Sequence, residues 1–191
     1  MIQKTDILNL ETFTQQRHQW RHRILALKKN RRVTLGEDVT CYFENRETLL
    51  WQIQEMLYIE KGGDEQIKDE LAAYAPLVPQ GNEWVATVMI EIPDPVIRAQ
   101  RLSVLGHFEF SLALKFAGQE VIGQPENDLE RTTADGKTSS VHFIRWCFTA
   151  EQKELLRQTN QDVILECRHP QYSHKTLLAD STRQALCLDF S

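Results

Sequence analysis

The feature that most constrains the fold is a change in the hydrophobic period near residue 80. Before that point most apolar residues recur at the three- and four-residue spacing of helices, and after it they alternate with polar residues as in strands. The clearest helix covers 46–60, and the clearest strands cover 84–92 and 107–116. Strands joined by short turns, with helices gathered at the start, predict an α+β fold with a mainly antiparallel sheet packed against the N-terminal helices.

Length and charge narrow the class of protein. A chain of 191 residues suits one domain, so we expect a single domain over 1–191, mostly helical at 1–80 and mostly β at 81–191. A net charge of −5 opposes general binding to nucleic acid or to an anionic membrane, because both require a positive potential. No apolar run approaches the roughly 18 residues of a membrane span, so no membrane partner is expected.

The cysteines favour a reducing compartment. Cys41, Cys147, Cys167 and Cys187 are far apart and form no CxxC pair, and the first three lie in predicted strands. We expect all four to be reduced and mostly buried, as in a cytoplasmic protein. The first residues also lack the apolar segment of a signal peptide. The predicted location is the cytoplasm.

Caps and turn residues set the expected element boundaries. Asn9 is a candidate N-cap, Gly62-Gly63 is expected to end the helix at 46–60 in a left-handed conformation, and Asp64 is expected to cap the next helix. Further helices are predicted at 10–30, 65–74, 95–104, 151–158 and near 180–188. Further strands are predicted at 33–35, 39–43, 120–123, 140–148, 163–168 and 174–178. The polar stretch 124–138, which contains Asp135-Gly136, is expected to be a loop.

The helix at 46–60 has too little ordinary solvent-exposed surface. Trp51 and Tyr58 form an apolar stripe on one side, and a polar stripe separates it from a second apolar stripe. The polar stripe contains Thr48, Gln52 and Glu55, and the second apolar stripe contains Leu49, Leu50, Ile53, Met56 and Leu57. A polar stripe between two apolar stripes is either partly buried or faces a ligand.

Arg17 lies in the apolar stripe of the first predicted helix, where a guanidinium requires a partner. Either it forms an ion pair with Glu44, Glu55 or Glu60, or it binds an anionic ligand. In the second case a polar site is expected between the N-terminal helices and the sheet. The candidate ligand-binding residues are Arg17, Glu44, Arg46, Gln52 and Glu55.

The predicted strands offer a candidate metal site. Glu91, His107 and Glu109 are expected on the less apolar faces of two neighbouring strands, and His142 lies in a third. Two histidines with two carboxylates suit a transition metal such as non-haem iron, manganese or zinc. The alternative is that these residues are solvent-facing or hydrogen-bonded.

A basic run within the first helix and just after it raises a nucleic-acid function. It contains Arg17, Arg21, Arg23, Lys28, Lys29, Arg31 and Arg32 with no acidic residue between them. Aromatic residues are interleaved only at Trp20, so a solvated helix face is favoured over an RNA-binding surface. His18 and His22 have the spacing of two ligands to one metal, but a solvated pair is favoured.

Several segments resemble one bacterial family. Phe-Glu-Asn-Arg at 43–46 and Gln-Ile-Gln-Glu-Met at 52–56 resemble the domain of unknown function 3501 family, which is uncharacterised. Residues 28–36, 90–93, 131–142 and His-Pro-Gln-Tyr at 169–172 also fit it. The resemblance implies no catalytic residues. By gene association it implies a redox partner, either rubrerythrin-like or an iron–sulfur oxidoreductase, and a role near peroxide or iron metabolism.

Three functions follow, in order of preference. The first is a non-catalytic accessory protein that binds a redox partner or a small anionic ligand through the polar site. The second is a metal-dependent enzyme that uses the His/carboxylate cluster. The third is a nucleic-acid-binding protein that uses the basic run, and the acidic net charge ranks it last.

Overall fold

The structure is a computed structural model that describes residues 2–126, 132–133, 136–158 and 161–191. Its described helices are α1 (Leu10–Lys29), α2 (Arg46–Glu60), α3 (Gly63–Tyr74), α4 (Pro95–Val104), α5 (Ala150–Arg157) and α6 (Asp180–Cys187). Its described strands are β1 (Arg32–Leu35), β2 (Val39–Glu44), β3 (Glu83–Ile90), β4 (Leu112–Phe116), β5 (Gln119–Ile122), β6 (Gln124–Pro125), β7 (Val141–Cys147), β8 (Ile164–His169) and β9 (Tyr172–Leu177). Arg131 and Asp135, which figured in the sequence motifs, lie outside the described residues.

The strands form two antiparallel sheets, and the predicted α+β class is confirmed. The first sheet has the order β1-β2-β3-β7-β6, and the second has the order β5-β4-β8-β9. The sheets meet where the Thr176 hydroxyl of β9 donates to the Thr34 carbonyl of β1 at 2.8 Å. The sequence predicted antiparallel pairing but gave no sign of the division into two sheets, because that division depends on pairing between distant segments.

The main core lies between the two sheets. Trp84, Ala86, Val88 and Ile90 of β3 are all buried in it, as their alternation predicted. From the second sheet, residues such as Leu114 pack against the same cluster. The second sheet covers the inner face of the first sheet, and the N-terminal helices cover its outer face.

Helix α2 is packed on two sides, which explains its two apolar stripes. Leu49 and Ile53 join Val85 of β3 in a cluster on the outer face of the first sheet. Trp51 and Tyr58 instead contact Phe13 of α1, with ring centroids 5.7 and 5.8 Å apart. Helix α2 thus lies between the sheet and α1, and the stripe formed by Trp51 and Tyr58 packs within the same chain.

The ends of α2 show one confirmed and one wrong prediction. The helix covers 46–60 as predicted, and Asn45 and Thr48 exchange two 2.9 Å hydrogen bonds between side chain and backbone. Its C-cap is Lys61, whose φ is 56°, and not a glycine. Gly62 is the N-cap of α3, so Asp64 lies in the first turn of that helix and does not cap it.

The predicted strand over 107–116 is wrong in its first half. His107 has a φ of 61°, Phe108–Phe110 forms a 3-10 turn, and only Leu112–Phe116 is a strand. The Ser111 hydroxyl donates to the Phe108 carbonyl at 2.6 Å, and such local bonds compete with strand pairing. In a strand Phe108 and Phe110 would share one face, but Phe108 is buried and Phe110 is 61% exposed.

The remaining predicted helices and strands occur with ends displaced by two residues at most. Asn9 caps α1, because its side chain accepts a hydrogen bond from the Thr12 amide at 2.9 Å. Cys41 and Cys167 are buried in strands, whereas Cys147 is exposed. Within the described ranges, no helix is long and apolar enough to cross a membrane.

Candidate functional site

Arg17 is bound by Glu55, one of the three carboxylates predicted for it. The guanidinium donates through Nε to Oε1 at 2.7 Å and through Nη2 to Oε2 at 2.8 Å. Its central carbon lies 4.7 Å from the Tyr58 ring centroid. The hydrogen bond to Glu55 raises the pKa of Arg17. Arg17 and Glu55 therefore satisfy each other, which favours the ion-pair alternative over a ligand contact.

Replacing Arg17 with methionine should lower the free energy of unfolding by about 1–2 kcal/mol, because Glu55 loses a two-point partner at a half-buried site. The side chains are 32% and 18% exposed, so water moderates the loss. Urea denaturation measures it. Arg21→Met, at an exposed position of the same helix, is the matched control and should change little. A failure of Arg17→Met to fold would contradict this moderate contribution.

The predicted ligand-binding residues do not form one site. Arg46 binds Asp6, with 2.7 Å between Nη2 and Oδ1, and lines a surface groove beside Trp20 and Arg23. Glu44 and Gln52 line a common cavity. The five candidates thus divide into an ion pair, a groove residue and two cavity residues.

That cavity lies between the N-terminal helices and the outer face of the first sheet, and we name it the interlayer cavity. Its volume is about 410 Å³. Helices α1, α2 and α3 contribute Lys28, Gln52 and Tyr74, and strands β2, β3 and β7 contribute Tyr42, Glu44, Thr87, Met89, Val141 and Phe143. The strand residues share one face because Tyr42 and Phe143 both pair with Thr87 in the sheet register.

Glu44 is the most unusual group of the interlayer cavity. The residue is 8% exposed, and its two carboxylate oxygens accept hydrogen bonds from the Thr48 and Thr87 hydroxyls at 2.5 and 2.7 Å. Within the described ranges, no cationic group lies within 4.0 Å of this carboxylate. A buried carboxylate without a counter-ion is energetically costly.

Two of the other buried glutamates have cationic partners. Glu83 lies 2.7 Å from Arg145, whereas the nearest ring nitrogen of His142 lies 3.7 Å from Glu109 Oε2, which has no hydrogen-bond partner among the described residues. Glu166 has nitrogen atoms of Lys115, Arg168 and Lys175 at 2.8, 2.8 and 3.0 Å. The hydrogen bond from Lys115 is the main cause that lowers the pKa of Glu166. Glu44 therefore differs from Glu83 and Glu166, which have cationic partners.

Tyr74 and Gln52 provide further polar groups next to Glu44. Burial raises the pKa of the Tyr74 phenol, and the nearby Glu70 and Glu44 carboxylates raise it further. A hydrogen bond with the Gln52 side chain opposes this rise. The phenol consequently stays neutral and can exchange hydrogen bonds with a ligand.

Sequence reasoning missed four polar residues of the interlayer cavity: Lys28, Tyr42, Tyr74 and Thr87. Lys28 was seen only as part of the basic run. No local pattern could reveal these residues as neighbours. The register of β2 and β3 brings Tyr42 beside Thr87 although the two are 45 positions apart in sequence.

The four predicted metal ligands are not brought together. Glu109 and His142 approach each other at 3.7 Å. Glu91 instead accepts a 3.0 Å hydrogen bond from the Tyr42 hydroxyl, and His107 is an exposed turn residue. The expected neighbouring strands do not form, because β3 and β4 belong to different sheets and because His107 and Glu109 lie in the turn before β4. Across the part of the chain that the structure describes, no group of three His, Cys, Asp or Glu residues is arranged to hold a metal.

The basic run is partly neutralised by carboxylates. Arg17, Arg23 and Arg31 form ion pairs with Glu55, Glu47 and Asp189. Arg31 is also buried and cannot reach an external partner. The surface available to a nucleic acid is smaller and less positive than the sequence implied.

Comparison with known proteins gives a family but no activity. A crystal structure of a novel protein of unknown function from Burkholderia pseudomallei K96243 has 33% sequence identity to this chain and a TM-score of 0.91. The match covers 100% of this chain and 99% of that protein. No curated protein matches the sequence. The family model for proteins of unknown function named DUF3501 matches residues 1–190. The chain therefore belongs to the DUF3501 family, as the motifs at 43–46 and 52–56 predicted.

Proposed function

We propose that this protein is a non-catalytic accessory protein of the cytoplasm that binds a small ligand in the interlayer cavity. The observation that carries the proposal is the buried Glu44 carboxylate, which lines this cavity and has hydroxyl partners but no counter-ion among the described residues. The volume of about 410 Å³ falls within the range of small-molecule sites.

The lining of the interlayer cavity supports binding more than catalysis. Met89, Val141 and Phe143 provide apolar walls, while a few polar groups are placed around them. Such a composition is typical of ligand pockets, where apolar walls supply affinity and polar groups fix orientation. The imidazole and carboxylate of the His142–Glu109 pair are buried elsewhere, between the two sheets and away from these walls.

The gene association implied by the family extends the proposal to a redox partner. A rubrerythrin-like protein or an iron–sulfur oxidoreductase would receive or regulate the bound ligand, which would place the protein near peroxide or iron metabolism. The metal-dependent alternative is weakened by the separation of Glu91 and His107 from the His142–Glu109 pair. The nucleic-acid alternative is weakened by the ion pairs within the basic run.

Filling the interlayer cavity should abolish ligand binding while leaving the fold intact. We expect that saturation-transfer NMR with a library of small polar and aromatic fragments will identify fragments that bind the wild type but not Val141→Trp, because the indole occupies the cavity. Val96→Trp is the matched control, since Val96 is 64% exposed on α4. Circular dichroism checks folding of both variants.

Met89→Trp fills the same cavity from a different strand and replaces Val141→Trp if that variant does not fold. The proposal is contradicted if every bound fragment binds the folded cavity-filled variant as well as it binds the wild type. A library without any bound fragment would contradict it too.

A further inference from the structure

We propose that the ligand of the interlayer cavity is a small zwitterion, in which a protonated amine binds Glu44 and an anionic group binds Lys28. This inference rests on the proposed function and names its ligand class. Two charges of opposite sign line one cavity, and they lie too far apart to pair with each other within 4.0 Å.

The first step concerns what Glu44 still lacks. A carboxylate has about four acceptor positions, and the Thr48 and Thr87 hydroxyls use two of them. Two neutral donors compensate a buried negative charge only in part. An ammonium group donates up to three hydrogen bonds and carries the missing positive charge. A cationic group of the ligand is therefore the partner that best completes this site.

The second step concerns Lys28 at the α1 wall of the interlayer cavity. Lys28 is half-buried, and over the described residues its ammonium has no ion-pair partner, unlike Arg17, Arg23 and Arg31 of the same basic run. A carboxylate or phosphate of the ligand would pair with it. The lysine ammonium is compact and binds such an anion as a point charge.

The third step concerns the rest of the lining of the interlayer cavity. Met89 and Val141 are apolar and suit a methylene linker. The rings of Tyr42 and Tyr74 also line the cavity, and aromatic rings attract an ammonium cation. A molecule with an amine, a short aliphatic linker and a carboxylate matches this distribution of charge.

Isothermal titration calorimetry with matched probes tests the ligand class. The zwitterions are glycine, β-alanine, γ-aminobutyrate, 5-aminovalerate and 6-aminohexanoate, and each is compared with the amine and the carboxylic acid of the same carbon skeleton. We expect at least one zwitterion to bind about tenfold more tightly than both of its single-charge analogues. The inference is overturned if every zwitterion binds no better than its analogues.

Variants assign each charge to its residue. Glu44→Gln should weaken the zwitterion and the amine but not the acid, and Lys28→Met should weaken the zwitterion and the acid but not the amine. Glu37→Gln and Lys29→Met change exposed residues and are the matched controls. Lys28→Glu reverses the charge at a half-buried position, so a diamine of the same length should then bind more tightly than the zwitterion. If folded Lys28→Glu still binds the zwitterion more tightly than the diamine, the inference is also overturned.

The two proposals fail differently. If fragments bind the wild type but not Val141→Trp, and the zwitterions show no advantage over their analogues, the ligand class is wrong and the binding function stands. If neither fragments nor zwitterions depend on the interlayer cavity, the binding function itself is wrong.

Discussion

Replacing Arg31 with methionine is expected to lower the free energy of unfolding by about 3–5 kcal/mol, because it removes the cation from a carboxylate that is only 11% exposed. Arg31 is 3% exposed, and its two terminal nitrogens donate to Asp189 at 2.8 and 2.5 Å. One of them also donates to the Ala185 carbonyl at 3.1 Å. Urea denaturation at about pH 7 measures the loss.

The loss from Arg31→Met should depend on pH. Burial raises the pKa of Asp189 and the adjacent Arg31 opposes this rise, so the pKa increases further in the variant. When folding raises the pKa of a carboxyl group, its protonated form favours the folded state. This contribution to stability is fully present below the ordinary pKa of aspartate and is lost as the pH rises through the folded-state pKa. The deficit should therefore be smaller near about pH 4 than near about pH 7.

Two variants control this prediction. Arg31→Met/Asp189→Leu removes both charges and should recover most of the loss, since a buried pair is often replaceable by apolar residues. Arg32→Met changes an exposed neighbour and should cost about 1 kcal/mol or less. Equal deficits at both pH values, or no recovery in the double variant, would contradict the assigned role of the pair.

The second large effect is expected at Trp84. Trp84→Ala should lower the free energy of unfolding by about 3–5 kcal/mol, because a large side chain leaves a cavity in a packed core. The residue is 1% exposed, its indole donates to the Leu186 carbonyl at 3.0 Å, and its ring stacks on Phe190 at 5.5 Å. Urea denaturation measures the change, and hydrogen exchange reports whether α6 becomes less protected.

Trp84→Phe separates packing from hydrogen bonding. It retains most of the apolar contact and removes the indole donor, so the expected loss is only about 1–2 kcal/mol. Faster exchange in α6 should appear in both variants, because both lack the bond to Leu186. An Ala variant with the unfolding midpoint of the wild type would show that Trp84 does not anchor this helix.

Local periodicity explains why most of the fold was predictable. Helix α2 and strand β3 each bury one regular stripe of side chains, and such stripes are visible in the sequence. The turn at Phe108–Phe110 imitates that signal, since Phe108 is buried and Phe110 points into solvent although both alternate with polar residues. Alternation over a few residues cannot distinguish a strand from a tight turn that happens to carry two phenylalanines.

The site was less predictable because its residues come from six separate elements. The pairing of Arg17 with Glu55 was accessible, since both lie on helices with unusual stripes. The interlayer cavity depends on the register of β2, β3 and β7, which no local pattern encodes. Glu44 was a candidate from the sequence, but only the structure shows that its carboxylate has hydroxyl partners and no ion pair among the described residues.

The contacts of α6 and the residues that follow it determine when this protein can fold during synthesis. Asp189 is made 158 residues after Arg31, and Leu186 is made 102 residues after Trp84. Until the residues near 190 leave the ribosome, the nascent chain carries an unpaired arginine and an uncovered tryptophan at positions that will become core. Incompletely folded chains of this kind expose apolar surface and unpaired sheet edges. The expression level of this protein should therefore respond to the supply of chaperones that shield nascent chains.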